Sequence, residues 1–384
     1  MTRYLFVTPP LAGHVIPLIG VADRLRARGD RVAWVGDSRK LRFLLPSPAA
    51  VHPSTVPDFR RRPGLRGFAA LRDLWTEFLI PLAEAMVPDV RRAVADFLPD
   101  VLVVDQQALA GALVAERLGL PWATSATTSA ELCEPLAALP KVASWLAALI
   151  ADLRRRHGDP DAPGDPRFSP YLVLAFTTPE LAGMPRVEAP VAYVGPSLPP
   201  PDRVRRASVP IVDPGKPLVY AALGTVNAEA GGRFLGACAQ ALGERPDLQA
   251  VVADPRGLIR RPPRNVRTLP YVPQLEIMAM ADAVICHGGH NTVCEALTFG
   301  APLIVAPIRD DQPIVADQVV RAGAGVRVRF DRVGAAQLGE ALDMVLTDPQ
   351  YRVCAGRIRD SFEAAGGAEA AADRLATLVN MQVG

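Results

Sequence analysis

The feature that most constrains the fold of this sequence is a repeated alternation between short apolar runs and longer amphipathic stretches. Apolar runs of strand length occur at Arg31–Gly36, Val101–Asp105 and Ala283–Cys286, and stretches with helical periodicity, such as Val15–Arg28, lie between runs of this kind. This alternation is typical of βαβ units, in which helices cover both faces of a parallel sheet. The sequence therefore predicts an α/β protein with doubly wound sheets.

A proline-rich segment divides the alternation into two series. Between residues 195 and 217 the prolines and charged residues are too closely spaced for a regular helix or a strand ladder. We expect an N-terminal domain at 1–196, a linker at 197–217, a second domain at 218–360, and a C-terminal helix at 361–384 that can return to the first domain. Ligands of such sheets bind outside the carboxyl ends of the strands, so both domains would present these ends to a cleft between them.

Composition excludes several classes of protein. The 384 residues carry 42 Lys and Arg against 40 Asp and Glu, a net charge of +2, and 49% of them are hydrophobic, as in ordinary soluble globular proteins. This balance argues against a disordered chain and against a protein that coats nucleic acid. No apolar run reaches the roughly 18 residues that a membrane span needs. Five cysteines without a C-x-x-C pair predict neither a disulfide framework nor a metal site. We expect a cytoplasmic monomer or homodimer that needs no metal and no cofactor.

Two strand ends in the first half carry groups suited to proton transfer. The first strand runs into Pro9–Pro17, where His14 begins a helix, and a neutral imidazole with a pKa near 6.5 can accept a proton. Asp105 ends another strand of the same sheet, and a carboxylate behind an imidazole orients the ring and stabilises the imidazolium. Each residue alone is equally consistent with capping a helix. Together they predict a catalytic base and its partner.

The second half contains a glycine-rich loop suited to a diphosphate. A buried strand ending at Cys286 is followed by the run His287-Gly288-Gly289-His290 and then by a helix that starts at Asn291-Thr292. The glycines would let the backbone approach a ligand, and the positive end of the helix would face its anion. The loop matches neither the dinucleotide fingerprint nor the P-loop, so nicotinamide cofactors and ATP are not indicated. The turn at Gly224-Thr225 ends another strand of this domain and offers further donors.

Neighbouring residues offer groups for the other parts of a nucleotide sugar. Glu295 lies one helical turn after Asn291, where a carboxylate can accept hydrogen bonds from both hydroxyls of a ribose. The run Tyr271-Val272-Pro273-Gln274 provides an aromatic face and backbone groups for a planar base. Asp310-Asp311-Gln312 provides carboxylate and amide groups for sugar hydroxyls.

The run from Tyr271 to Gln312 resembles the signature box of the nucleotide-sugar-dependent glycosyltransferases of family 1. The resemblance extends to the G-H-x-x-P sequence at Gly13–Pro17 and to the proline-rich linker. It implies the GT-B fold, with two Rossmann-like domains, and an inverting, metal-independent reaction. It assigns His14 as the catalytic base and Asp105 as its partner.

The same resemblance implies roles for the residues of the signature box. It places the base against Tyr271 and Gln274, the ribose on Glu295, the diphosphate on His287, Gly289, Asn291 and Thr292, and the donor sugar on Asp311 and Gln312. Tyr271 and His290 stand where plant members of the family carry Trp. The bacterial natural-product branch, which uses UDP- or dTDP-sugars on small hydrophobic acceptors, is therefore the nearer relative.

The acceptor site and the alternative functions are less constrained by the sequence. In this family the first domain supplies the acceptor pocket, which makes candidates of four aromatic residues, Phe59, Phe68, Trp75 and Phe78, although their spacing fits a helix core equally well. The expected function is transfer of a sugar to a hydroxyl, forming a β-glycoside. Three alternatives stay open: a lipid-linked-sugar glycosyltransferase, a nucleotide-sugar epimerase and a non-catalytic partner of another glycosyltransferase.

Overall fold

The computed structural model describes residues 1–59, 62, 64–198, 213–224 and 231–383. The chain forms two compact units. The first contains Met1–Thr177, Met184–Pro199 and Ala365–Gly384, and the second contains Thr178–Gly183 and Pro200–Ala364. Each unit is built on one parallel sheet with helices on both faces, so the predicted doubly wound α/β class is confirmed.

The sheet of the first unit has the strand order β3-β2-β1-β4-β5-β6-β7 among the described residues. Its strands are β1 (Arg3–Val7), β2 (Arg31–Gly36), β3 (Ala50–Pro53), β4 (Val101–Asp105), β5 (Trp122–Ala126), β6 (Val173–Ala175) and β7 (Val191–Tyr193). Its helices are α1 (Ala12–Ala27), α2 (Ser38–Leu44), α3 (Gly67–Asp73), α4 (Ile80–Phe97), α5 (Ala110–Leu118), α6 (Pro140–His157) and α14 (Gly367–Val383). A π-helical turn at Leu74–Leu79 joins α3 to α4, and a 3₁₀ turn at Ala130–Cys133 follows β5.

The two faces of the first sheet have separate apolar cores. Leu5 and Leu102 pack with α4 and α5 on one face, whereas Phe6 and Val103 pack with α1 and α14 on the other. Because side chains alternate along a strand, Asp105 points to the same face as Val103, the face that α1 covers. This alternation brings the end of β4 and the start of α1 together.

The second unit has the strand order β10-β9-β8-β11-β12-β13 among the described residues. Its strands are β8 (Leu218–Ala222), β9 (Gln249–Ala253), β10 (Val266–Leu269), β11 (Ala283–Cys286), β12 (Leu303–Val305) and β13 (Gly325–Arg327). Its helices are α7 (Pro179–Ala182), α8 (Gly232–Gly243), α9 (Gln274–Met278), α10 (His290–Thr298), α11 (Gln312–Arg321), α12 (Ala335–Thr347) and α13 (Pro349–Ala365). None of the helices in the described part of the chain is long and apolar enough to cross a membrane.

The structure differs from the sequence prediction at several boundaries. The C-terminal helix predicted at 361–384 is interrupted at Gly366, whose φ of 86° favours glycine, so that α13 ends at Ala365 and α14 begins at Gly367. Gly325 begins the edge strand β13, which was not predicted from the sequence, and the Leu303 carbonyl leaves no room there for a side chain. The short helix α7 belongs to the second unit, where Leu181 joins the apolar core. Of the predicted linker, residues 199–212 lie outside the described residues.

Candidate active site

His14 and Asp105 lie together at the carboxyl edge of the first sheet. His14 stands in the first turn of α1, and its Nδ1 atom lies 3.0 Å from each carboxylate oxygen of Asp105, which ends β4. The Asp105 side chain is fully buried, whereas 16% of the His14 side chain is exposed. The structure therefore brings together two residues that are 91 positions apart in the chain and leaves the imidazole in contact with solvent.

A third residue, Thr127, joins this pair and was not predicted from the sequence. Its Oγ1 lies 2.8 Å from Nδ1 of His14 and donates a hydrogen bond of 2.9 Å to Oδ2 of Asp105. The backbone N–H of Gln107 donates to Oδ1 of Asp105 at 2.8 Å. The sequence shows a polar run, Thr127-Thr128-Ser129, directly after β5, but its relation to Asp105 depends on the pairing of β5 with β4, in which Ser125 lies opposite Asp105.

The contacts around Nδ1 determine which ring nitrogen can act as a base. The two carboxylate oxygens and the Thr127 hydroxyl oxygen all lie within 3.0 Å of Nδ1. An ionised carboxylate has no proton to donate, so Nδ1 must carry the hydrogen. In the neutral imidazole Nε2 is then the unprotonated nitrogen, and it can accept a proton while Asp105 stabilises the resulting cation.

In the second unit, the ring of His287 packs between Gly224 and Gly289. A Cβ atom on Gly289 would stand 2.5 Å from Nε2 of His287, and one on Gly224 would stand 2.8 Å from Cε1 of the same ring. The neighbouring Gly288 has a φ of 83° and is the residue that turns the chain from β11 towards α10. The sequence predicts that Gly288 and Gly289 let the backbone approach a ligand. In the structure, the absence of a side chain at Gly224 and Gly289 leaves room for the His287 ring.

The surroundings of His287 suit an anion. Burial lowers the pKa of His287 to about 4, so the ring is neutral near pH 7. Its Nδ1 atom is buried and has no hydrogen-bond partner among the described residues. Gly289 is the N-cap of α10, so the positive end of this helix lies beside the ring. An anion bound at this point would interact favourably with the helix dipole and would raise the proton affinity of His287.

A chain of three polar side chains connects β8, α9 and α10. The hydroxyl of Tyr220 donates a hydrogen bond of 3.0 Å to Oε1 of Gln274, and Nε2 of Gln274 donates to the carboxylate of Glu295. Burial raises the pKa of Glu295 to about 7, and the hydrogen bond from Gln274 opposes that rise. Tyr220 was not predicted, because an aromatic residue inside a strand is typical of core packing.

The remaining predicted donor-site residues are placed as follows. The Tyr271 residue is 58% exposed, whereas Val272 is buried in the apolar core. His290, Asn291 and Thr292 form the first turn of α10, and Thr225 lies outside the described residues.

Gln312, predicted to hold the donor sugar, orders its own loop in this structure. Gln312 is buried at the start of α11, and its Oε1 accepts hydrogen bonds from the backbone N–H groups of Ile308 and Arg309, at 2.9 and 3.1 Å. Asp311 is the N-cap residue of the same helix. The carboxamide oxygen of Gln312 therefore holds the turn that presents Asp311.

Of the four aromatic residues predicted for the acceptor site, Trp75 and Phe78 belong to the apolar core beside α4 and α5, and Phe59 packs against it. The rings of Phe59 and Phe78 stack with centroids 4.7 Å apart, and Phe68 meets the edge of Trp145 at 5.2 Å. Trp75 and Phe78 are only 2% and 3% exposed. Phe59 and Phe68 are therefore the members of this group with more surface for a ligand.

Comparison with known proteins places these features in context. Residues 245–378 match the family model described as the Erythromycin biosynthesis protein CIII-like C-terminal domain. The 4'-demethylrebeccamycin synthase of Lentzea aerocolonigenes is 32% identical over 98% of this chain and 99% of its own length. The crystal structure of the glycotransferase of kitacinnamycin superposes with a TM-score of 0.79 at 24% identity, covering 98% of each chain. A spinosyn rhamnosyltransferase complexed with thymidine diphosphate superposes with a TM-score of 0.75 at 23% identity, covering 97% of this chain and 99% of its own.

Proposed function

Since this chain belongs to the family of bacterial natural-product glycosyltransferases with the GT-B fold, we propose that it moves a sugar from a nucleoside-diphosphate donor to a hydroxyl of a small hydrophobic acceptor. The donor is a UDP- or dTDP-sugar, and the reaction inverts the configuration at the anomeric carbon. The observation that carries the proposal is the contact between His14 and Asp105, because it supplies the base that an inverting transfer needs.

In the proposed reaction Nε2 of His14 removes the proton of the acceptor hydroxyl as that oxygen attacks the anomeric carbon. The new bond joins the acceptor oxygen to this carbon, and the bond from the carbon to the diphosphate breaks with its electron pair on the leaving group. Asp105 stays ionised and stabilises the imidazolium. Attack from the face opposite the leaving group converts an α-linked donor into a β-glycoside.

The second unit supplies the groups that hold the donor in this proposal. His287 and the N-terminus of α10 bind the diphosphate and stabilise the charge that develops on it as it leaves. Glu295 binds the ribose, Tyr271 stacks on the base, and Asp311 contacts the sugar. The thymidine diphosphate bound by the similar rhamnosyltransferase supports a nucleoside diphosphate as the ligand.

The proposed reaction needs no metal ion. In this proposal the N-terminus of α10 and His287 meet the charge of the diphosphate in place of a metal ion. We expect transfer to continue at an unchanged rate in excess EDTA.

The proposal is tested by incubating the protein with UDP-glucose or dTDP-glucose and a panel of small hydrophobic alcohols and phenols. The expected result is a glycoside that forms only when an acceptor is present, and the coupling constant of its anomeric proton identifies the β configuration. Conversion of the donor to another sugar nucleotide without an acceptor would instead indicate an epimerase. Donor binding is followed by thermal unfolding, since a ligand at 100 times its Kd adds about 2.7 kcal/mol to stability.

A further inference from the structure

Within the part of the chain that the structure describes, the hydroxyl of Thr127 makes two hydrogen-bond contacts, and both are with the His14–Asp105 pair. Oγ1 lies 2.9 Å from Oδ2 of Asp105 and 2.8 Å from Nδ1 of His14, and Thr127 itself is buried. The hydroxyl of Thr124, three residues earlier on β5, instead donates to the backbone carbonyl of Arg167 and accepts from the N–H of Ser169. Thr124 stabilises the local fold, whereas the hydroxyl of Thr127 forms hydrogen bonds, among the described residues, with side chains of the candidate active site.

The single proton of the Thr127 hydroxyl determines the direction of both contacts. Oδ2 of an ionised Asp105 can only accept, so the hydroxyl proton points to Oδ2. The oxygen of Thr127 then faces Nδ1 of His14 with a lone pair and can only accept the hydrogen on that nitrogen. If the hydroxyl proton of Thr127 pointed to Nδ1 of His14 instead, Oδ2 of Asp105 would lose this hydrogen-bond donor. That loss is costly because the Asp105 carboxylate is fully buried.

We propose that Thr127 is a positioning residue for the catalytic base. Its hydroxyl and the backbone N–H of Gln107 each hold one oxygen of Asp105, at 2.9 and 2.8 Å, so neither oxygen can turn away from the ring. The oxygen of Thr127 also accepts from Nδ1–H and keeps Nε2 as the nitrogen that receives the proton. This inference rests on the proposed function, in which His14 is the base.

The hydroxyl of Thr127 stabilises the His14 ring more strongly after the ring has gained the proton than before. As Nε2 gains the proton the ring becomes positive, and the hydroxyl oxygen and the carboxylate then both face a cation. Hydrogen bonds to charged groups are worth more than neutral ones, and removing one from a buried charge costs the full desolvation of that group. Loss of the hydroxyl should therefore lower kcat on the order of 10-fold or more while the KM for the donor stays the same.

The test compares Thr127→Val, which keeps the shape and removes the hydroxyl, with Thr127→Ser, which keeps the hydroxyl. The assay uses UDP-glucose or dTDP-glucose with a hydrophobic alcohol as the acceptor. An alcohol is preferable to a phenol because its high pKa makes the reaction depend on the base. We expect Thr127→Val to lose at least 10-fold in kcat with an unchanged KM for the donor, and Thr127→Ser to recover most of that loss.

Thr124→Val is the matched control, because it removes a buried hydroxyl from β5, three residues before Thr127. It should lower the melting temperature and leave the kcat of the folded fraction unchanged. Wild-type kcat in Thr127→Val, or equal impairment in Thr127→Ser and Thr127→Val, would overturn the inference. If Thr127→Val does not fold, Thr127→Ala replaces it in the same comparison.

Two further variants separate this inference from the proposed function. His14→Ala is assayed in parallel: if it keeps wild-type turnover, the proposed base is wrong, whereas loss of activity in His14→Ala together with full activity in Thr127→Val rejects only the role of Thr127. In an Asp105→Asn background, Thr127→Val should cost much less than it does alone, because the two residues act on the same ring. Additive losses in the double variant would contradict a shared positioning role.

Discussion

Substitution of Gly289 by alanine should weaken donor binding because it displaces the ring of His287. Gly289 has a φ of −62° and a ψ of 132°, which any residue adopts without strain, so the substitution acts through its new methyl group. That methyl carbon would stand 2.5 Å from Nε2 and 2.9 Å from Cε1 of His287, where ordinary contact begins near 3.4 Å. The His287 ring must therefore move by about 1 Å to restore normal van der Waals contact.

A shift of that size is enough to break a hydrogen bond from His287 to a diphosphate oxygen. Such a bond to a charged group is worth about 1.5–3 kcal/mol, so the Kd for UDP or TDP should rise by roughly 10- to 150-fold. Overpacking should also cost about 1–3 kcal/mol in the free energy of unfolding. Isothermal titration calorimetry with UDP and with TDP measures the first effect, and urea unfolding measures the second.

Gly236→Ala is the matched control for this experiment. Gly236 lies in α8, and a Cβ atom there would meet no described residue within 4 Å, so the same chemical change should leave nucleotide affinity unaltered. It should stabilise the protein by up to about 1 kcal/mol, because alanine is the better helix former. The reasoning is refuted if Gly289→Ala binds both nucleotides within twofold of the wild type.

Two further predictions follow from the ionisable groups of the second unit. The pKa of Glu295 is raised from 4.5 to about 7, so the folded state holds a proton that the unfolded state releases. The free energy of unfolding should then fall by about 2.5 kcal/mol between pH 5 and pH 8 relative to Glu295→Gln. Urea titrations of both proteins check this, and parallel pH profiles would contradict it. The pKa of His287 is about 4 without ligand, and a bound diphosphate should raise it, so UDP binding near pH 6 should take up protons. Calorimetry in buffers of different ionisation enthalpy measures that uptake, which should be smaller in His287→Gln; equal uptake in both proteins would argue against His287 at the diphosphate.

The positions of His14 and Asp105 could be predicted from the sequence, because the strands that precede them are recognisable as apolar runs. The apolar run before Asp105 and the helix that starts beside His14 fix both residues at the carboxyl edge of a parallel sheet, where ligands bind. The order of the strands is not visible in the sequence. Thr127 could therefore not be assigned to the His14–Asp105 pair, since its role depends on β5 lying beside β4.

Side-chain partners were harder to predict than positions. Tyr220 has the pattern of a core residue, yet its hydroxyl reaches Gln274 because β8 lies directly beside β11 and close to α9. Gln312 begins α11, and its carboxamide oxygen accepts two backbone hydrogen bonds of its own loop. Both outcomes depend on distances of a few ångströms that residue spacing does not encode.

The most direct test of His14 as the catalytic base is single-turnover transfer by His14→Ala, measured together with the affinity of this variant for UDP and TDP. If His14 is the base, transfer should fall by at least about 100-fold, which is what general base catalysis contributes. Both nucleotides should bind the variant as tightly as they bind the wild type. The residues proposed to bind the donor lie in the second unit and His14 in the first, so binding and turnover should separate. Turnover within about threefold of the wild type would contradict His14 as the base and, with it, the proposed mechanism.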